Sequence, residues 1–253
     1  MRILSIDTTS MQGSLAVTDG ARILAQEQQG LPGTHSEKLI QSVDHLLKLA
    51  GWKRDEVEGI AVAVGPGSFT GLRIGLATAK GMAMSVGCRI AGVSSLESLL
   101  VNGASFAGTV VALIDARRGE IYASACGAAV RGRRTRVMDE CVLSPDDLVV
   151  RLKKIRGPLL LVGDGLEVVE AKVKRALGAR AVLAQGSERM PQAANLAAIA
   201  QKKLAAGGDD LASLAPNYVR RSDAEIGFNK RHRPGTRPRG TPGRGGVKGG
   251  RKR

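Results

Sequence analysis

Two aspartates stand where side chains capable of chemistry are most readily placed, each directly after a predicted strand. Asp7 follows the apolar run that ends at Ile6, and Asp115 follows the run that ends at Ile114. A carboxylate at a strand end can orient a metal or polarise a water molecule. Aspartate is also a common turn residue. Spacing alone leaves both interpretations open.

A glycine-rich segment, residues 65–71, joins a predicted strand to a predicted helix. Free N–H groups and the helix dipole make this geometry suitable for binding anions. The two standard nucleotide motifs fail, however. A P-loop needs Lys and then Ser or Thr after its last Gly, where this chain has Leu72-Arg73; the dinucleotide motif needs Gly where Thr70 stands. A tight strand-to-helix connection is an equally open interpretation.

Metal and redox chemistry have little support in the sequence. The few histidines and cysteines are widely spaced: His35, His45 and His232, and Cys88, Cys126 and Cys141. This spacing argues against a disulfide framework and a cysteine-based metal site. We find no Ser/His/Asp arrangement, HExxH or CxxC motif. With no apolar run of membrane-spanning length and no secretory signal, we predict a cytoplasmic protein.

The surrounding pattern is α/β throughout. A three-stranded meander opens the chain, and the helix from Thr34 to Ala50 has a capping box formed by Thr34 and Glu37. Predicted strands are 2–6, 13–17, 22–25, 60–64, 89–93, 110–114, 121–125 and 159–162. Predicted helices are 34–50, 70–86, 95–102, 145–155 and 193–206. The second meander, with Asp115 at its turn, repeats the first and suggests two related halves.

Small residues recur every fourth position along the helix 70–86. They are Gly71, Gly75, Ala79, Ala83 and Gly87. Glycine inside a helix costs about 1 kcal/mol relative to alanine, so a packing reason is needed. Such a ridge lets another helix approach closely. That helix can belong to this chain or to another subunit.

Most of the net charge of +15 lies in the tail. Residues 227–253 contain ten Lys or Arg and no acid, which leaves 28 basic against 23 acidic residues elsewhere. Rich in Gly and Pro, the tail is predicted to be disordered. Its candidate contacts to RNA phosphates are Arg231, Arg233, Arg237, Arg239 and Arg244; a solubility tail is the open alternative. Aromatic residues make up only 2% of the chain, which argues against base stacking on the folded body.

Several motifs together resemble the TsaB family, also called YeaZ. In chain order they are Ile6-Asp7-Thr8-Thr9, His35-Ser36-Glu37, the block from Gly65 to Gly75, Gly92-Val93-Ser94-Ser95-Leu96-Glu97, Asp115-Ala116-Arg117 with Gly119-Glu120-Ile121-Tyr122, and Pro216-Asn217-Tyr218-Val219-Arg220. The resemblance implies an actin/Hsp70-like (ASKHA) fold with mixed sheets flanked by helices. It divides the chain into RNase-H-like halves 1–105 and 106–226, with the last helix packing back on the first half. The tail, 227–253, lies outside the family pattern.

The resemblance also implies partners. TsaD, of the same fold, would pair with this chain through helices 34–50 and 70–86, in competition with a homodimer, and TsaE and tRNA would join the complex. The implied interface residues are His35, Leu39, Gly71, Arg73, Gly75, Ala79 and Ala83. ATP and a divalent metal would be held by the partner subunits. In this chain Asp7, Thr8 and Thr9 would form a vestigial phosphate-facing turn.

A catalytic role is the point at which this chain departs from its relative. TsaD holds its metal with a His-x-x-x-His helix, and the aligned positions here are Ser95 and Leu99, which cannot replace imidazoles. We therefore predict a pseudo-enzyme that serves as scaffold for threonylcarbamoylation of tRNA. Two rivals remain: an independent ATPase, sugar kinase or glycoprotease-like enzyme of the same superfold, and an RNA-binding protein that acts through its tail.

Overall fold

The computed structural model describes residues 1–10, 12–30 and 36–219. They contain two five-stranded mixed sheets of the same topology, with orders β3-β2-β1-β4-β5 and β8-β7-β6-β9-β10. The first sheet comprises β1 (Arg2–Asp7), β2 (Gln12–Asp19), β3 (Arg22–Gly30), β4 (Gly59–Gly65) and β5 (Arg89–Ser94). The second comprises β6 (Thr109–Arg117), β7 (Glu120–Cys126), β8 (Arg136–Leu143), β9 (Leu159–Val162) and β10 (Ala181–Leu183). In each, three antiparallel strands are followed by two parallel ones.

Six helices cover the sheets. They are α1 (Ser36–Leu49), α2 (Phe69–Val86), α3 (Ser95–Val101), α4 (Pro145–Lys154), α5 (Leu166–Leu177) and α6 (Ala193–Ala205). Because side chains alternate along a strand, each sheet has two buried faces. Leu4 and Ile6 of β1 pack under α1 and α2, whereas Ile3 packs under α6. The second sheet has α4 and α5 on one face and α3 on the other.

The two halves form one compact unit, Met1–Val219. Helices α3 and α6 lie between the sheets and contact each other. Polar contacts add to this apolar layer. The Asn102 side chain donates to the carbonyls of Glu188 and Met190, each at 2.8 Å, and the Ala193 amide donates to Ser14 Oγ at 2.9 Å. The last helix therefore returns to the first half, as the family resemblance implied.

After α6, residues 207–219 run back across the first half as an extended strap. The Asp209 amide donates to the carbonyl of Ile90 at 2.7 Å, and the Asn217 amide donates to the carbonyl of Val64 at 2.6 Å. Between them, Lys80 Nζ of α2 donates to the carbonyls of Ala212 and Leu214. The strap ends beside the start of α2.

Most predicted elements are present, and three were missed. The structure adds β8, α5 and β10, whose apolar residues are interrupted by charged ones. The topological repeat of the two sheets confirms the expectation of related halves. No helix of the described residues is long and apolar enough to cross a membrane. The predicted disordered tail lies outside the described residues.

Candidate functional site

The turn that follows β1 is buried against the start of α2. Asp7, Thr8 and Thr9 are 0%, 3% and 1% exposed. The Ser68 amide donates to the carbonyl of Thr9 at 2.7 Å, and Thr8 Oγ1 donates to the carbonyl of Gly71 at 2.7 Å. The turn and the N-terminal end of α2 are therefore one packed unit, with almost no surface left for a ligand.

The glycines of this segment are required by that packing. A Cβ on Gly67 would lie 2.4 Å from the Thr9 carbonyl oxygen, and one on Gly71 would lie 1.9 Å from that of Thr8. A Cβ on Gly75 would lie 2.1 Å from Thr8 Oγ1. All three distances are shorter than atoms tolerate, so only glycine allows this approach. The segment is a tight strand-to-helix connection.

A nucleotide phosphate does not fit this turn. The prediction that Asp7, Thr8 and Thr9 form a phosphate-facing turn is therefore wrong in this structure, because α2 fills the space in front of the turn. Among residues 1–10, 12–30 and 36–219, moreover, no three His, Cys, Asp or Glu side chains are grouped to hold a metal ion.

The Asp7 carboxyl group is held inside the protein. Its Oδ1 accepts hydrogen bonds from the Thr9 amide at 2.9 Å and from Thr9 Oγ1 at 2.6 Å. Its buried Oδ2 has no hydrogen-bond partner among the described residues. Burial raises the pKa of Asp7, and the two bonds from Thr9 lower it by less. The arrangement therefore favours the neutral acid.

The small-residue ridge of α2 faces the interior. Gly75, Ala79 and Ala83 are buried against the first sheet, and so is Leu39 of α1. The prediction that these four residues contact a partner is wrong in this structure, because they contact the chain's own core. Gly71 is half-buried beneath Thr8.

The opposite side of α2 is open. We call Ala77, Gly81 and Met84, all exposed, the outer strip of α2. Met84 is 70% exposed, and a Cβ on Gly81 would meet no atom within 4 Å. Unlike Gly71 and Gly75, Gly81 thus has no packing partner within this chain. Neighbouring α1 exposes the apolar side chain of Ile40.

The positions aligned with the relative's metal-binding histidines are interior ones. Ser95 and Leu99 of α3 are buried, and Leu99 belongs to the apolar cluster between α3 and the second sheet. Neither side chain reaches a solvent-accessible site.

The second aspartate also serves its turn. Asp115 Oδ1 accepts from the Arg117 amide at 2.7 Å, and Asp164 Oδ1 accepts from the Asp115 amide at 3.1 Å. Burial raises the pKa of Asp164. The sequence analysis overlooked the glycines on either side of Asp164. A Cβ on Gly163 would lie 1.9 Å from the Leu113 carbonyl oxygen, so this glycine again serves close packing.

A cluster of exposed rings lies where the strap meets α2. The ring centroids of Phe69 and Tyr218 are 5.0 Å apart, and the Arg73 guanidinium lies 3.9 Å from the Phe69 centroid. Arg73 Nε also donates to the Tyr218 hydroxyl at 3.3 Å. Phe69 is 39% exposed and Tyr218 is 42% exposed. We call these three residues the aromatic cluster.

Comparison with known proteins decides the family. A family model described as "TsaD: tRNA N6-adenosine threonylcarbamoyltransferase" matches residues 32–228. The tRNA threonylcarbamoyladenosine biosynthesis protein TsaB of Bacillus subtilis is 32% identical over 225 residues, which cover 89% of this chain and 96% of that protein. This chain belongs to the TsaB (YeaZ) family. TsaB of Escherichia coli is 31% identical over 212 residues, 82% of this chain and 89% of that protein.

The solved structures agree with the TsaB assignment. YeaZ from Pseudomonas aeruginosa superimposes with a TM-score of 0.69 at 27% identity, covering 86% of this chain and 99% of that one. With the repeated five-stranded sheets, this likeness confirms the predicted actin/Hsp70-like fold.

The remaining site predictions for this TsaB-family chain divide into two groups. Arg73 is exposed, as an interface residue must be. His35 and the five tail arginines lie outside the described residues, so their predicted roles stay predictions. The sequence gave no sign of the aromatic cluster, since its rings come from distant motifs. Gly81 stood in the sequence as an unexplained helical glycine.

Proposed function

We propose that this chain is a non-catalytic subunit that pairs with TsaD and activates it for threonylcarbamoylation of the adenosine next to the anticodon of tRNA. TsaE joins the same complex. ATP and a divalent metal are held by the partner subunits. The observation that carries the pathway assignment is the identity to TsaB of Bacillus subtilis, which extends over 96% of that protein's length.

The non-catalytic role is supported by two closed positions. The Asp7–Thr9 turn is covered by α2, so it offers no surface to a nucleotide phosphate. Ser95 and Leu99 are core residues, and neither can coordinate a metal as imidazole does. An enzyme of this superfold needs at least one of these positions open and suitably substituted.

The pairing role is supported by the outer strip of α2. Ala77 and Gly81 leave a flat, exposed stretch of helix beside Met84. A glycine inside a helix lowers its stability by about 1 kcal/mol relative to alanine. No contact within the chain explains Gly81, whereas the close approach of a partner helix does. The TsaD interface is accordingly placed on the outer strip and the exposed side of α1, rather than on the buried ridge.

Reconstitution tests the proposal. Threonylcarbamoyl transfer to tRNA is measured with TsaD, TsaE, ATP and the enzyme that forms the threonylcarbamoyl-adenylate donor, with and without this chain. We expect transfer to require the chain, and the chain alone to hydrolyse no ATP and to modify no tRNA. ATP hydrolysis by the pure chain that is lost in Asp7→Ala would instead establish an independent enzyme. Equal transfer without the chain would reject the activating role.

A further inference from the structure

The aromatic cluster concentrates a scarce residue type at the surface. The chain has six aromatic residues in 253, and two of them, Phe69 and Tyr218, meet with their rings 5.0 Å apart. Both are more than a third exposed. Apolar rings left in water are unfavourable unless they have a binding role or scatter singly. Here the two rings form a pair, and the Arg73 guanidinium holds them together.

The sequence that follows Tyr218 is strongly basic. Arg220 and Arg221 come within three positions, and residues 227–253 add seven Arg and three Lys without an acid. Arginine predominates, and its planar guanidinium pairs with phosphate through two parallel hydrogen bonds. The same 27 residues contain one aromatic and few other apolar residues. They therefore lack the apolar face with which a peripheral segment inserts into a membrane.

Exposed rings next to dense positive charge are what unpaired nucleic-acid strands bind. Bases stack on aromatic faces regardless of sequence, while arginines neutralise the phosphates. We propose that this chain contacts RNA directly: the aromatic cluster stacks an unpaired base, and the arginine-rich segment after Tyr218 binds phosphates. That the RNA is tRNA rests on the proposed function. The contact itself needs no partner subunit.

The structure keeps Tyr218 in place independently of its ring. The strap that carries it is held by the bond from the Asn217 amide to Val64, by Lys80 and by Asp209. A substitution at Tyr218 therefore changes the surface of the cluster and leaves the strap attached. This allows ring and fold to be tested separately.

The first experiment measures binding of the full chain, without TsaD, to fluorescently labelled tRNA by anisotropy. We expect affinity to fall about 100-fold between 50 and 200 mM salt if about five phosphates are neutralised. Truncation after Val219 is expected to weaken binding at least tenfold, with an unchanged melting temperature because Met1–Val219 is a compact unit. Unchanged affinity after truncation, or equally tight binding of the full chain to phosphatidylserine vesicles, would overturn the proposal.

The second experiment separates stacking from charge. Tyr218→Leu removes the ring, and Tyr218→Phe retains it as the matched control. We expect Tyr218→Leu to weaken tRNA binding at least fivefold, Tyr218→Phe to bind as the parent does, and both to bind inorganic polyphosphate equally. An equal loss on tRNA and polyphosphate would overturn the stacking role. So would intact tRNA binding with impaired TsaD binding, because the cluster would then belong to the protein interface. Either result leaves the reconstitution test of the proposed function unaffected.

Discussion

At the scale of single residues, Asp7 shows how a position typical of chemistry can be structural. Its carboxyl group stands at the strand end where a catalytic acid is expected, yet it has no exposed surface. Both of its recorded hydrogen bonds come from Thr9 within the same turn. Because burial favours the uncharged form, the group is suited to closing the turn and unsuited to binding a cation.

Asp7→Asn tests this interpretation through the pH dependence of stability. Burial raises the pKa of Asp7 above its ordinary value of 3.8 in the folded state. The folded protein therefore holds the proton more tightly than the unfolded chain, and stability falls as pH rises from 3.8 through the folded pKa. Asparagine cannot ionise but retains an oxygen for the Thr9 bonds. We expect the variant to gain stability relative to the parent between pH 4 and pH 8 in urea unfolding.

The control for this measurement is Asp139→Asn, which removes an exposed carboxylate from β8. The comparison isolates the effect of burial from that of net charge. A parent and an Asp7→Asn variant whose stabilities change in parallel across the pH range would show that Asp7 is ionised in the folded protein. The closed-turn interpretation would then lose its electrostatic support.

Gly75 and Thr8 form a pair that a double-mutant cycle can test. A Cβ at position 75 would overlap Thr8 Oγ1, at 2.1 Å. Overpacking of this kind costs about 1–3 kcal/mol, of which the better helix propensity of alanine offsets about 1. We expect Gly75→Ala to destabilise the parent but to cost less in a Thr8→Ala background, where the overlapping oxygen is absent. Additive effects in chemical denaturation would show that the two residues do not constrain each other.

At the scale of elements, α2 has two surfaces built from small residues for different purposes. The inner one, Gly75, Ala79 and Ala83, lets the helix lie close to the β1 turn and the sheet. The outer strip has no such contact within the chain. Spacing of four residues predicts both stripes, but it does not tell which one faces the core.

Gly81 tests the outer strip. Gly81→Leu meets no atom within the chain, so the free energy of unfolding should be unchanged or should rise by up to about 1 kcal/mol. The same side chain would hold a partner helix away. We expect TsaD binding, measured by calorimetry, to be lost in Gly81→Leu and weakened far less in Gly81→Ala.

The matched control is Ala171→Leu, which adds the same bulk to an exposed position on α5 of the second half. It should bind TsaD as the parent does. If Gly81→Leu and Ala171→Leu bind TsaD equally well, the partner does not approach the outer strip, and the interface lies elsewhere.

The elements that sequence predicted are those whose apolar pattern is continuous. β4 and β9 are uninterrupted apolar runs, and both were found within a residue of their ends. β8 alternates with Arg136, Asp139 and Glu140, and charged residues likewise interrupt α5, so neither pattern was recognised. The candidate site depended on contacts between distant segments. Thr8 on Gly75 and Tyr218 on Phe69 are such contacts, and local spacing carries no information about them.

At the scale of the whole molecule, the two sheets are joined too closely to act as separate lobes. α3 and α6 are shared between them, and the Ser94 hydroxyl donates to Glu140 across the boundary. A nucleotide enzyme of this superfold closes its halves around its ligand. Here the first turn is filled by α2 and the boundary is closed by α3 and α6, which fits a rigid body that presents a surface to a partner.

A rigid body with a single outer strip can offer it to one partner at a time. The homodimer and the TsaD complex are both predicted to use this surface. A twofold homodimer would place the same residues of both copies in contact, because such an interface is self-complementary. Stepwise addition of TsaD to the chain should therefore convert a homodimer into a one-to-one heterodimer, without a larger species, in sedimentation velocity. A complex that retains the homodimer with TsaD added to it would show that the two associations occupy different surfaces, and the outer strip would then belong to only one of them.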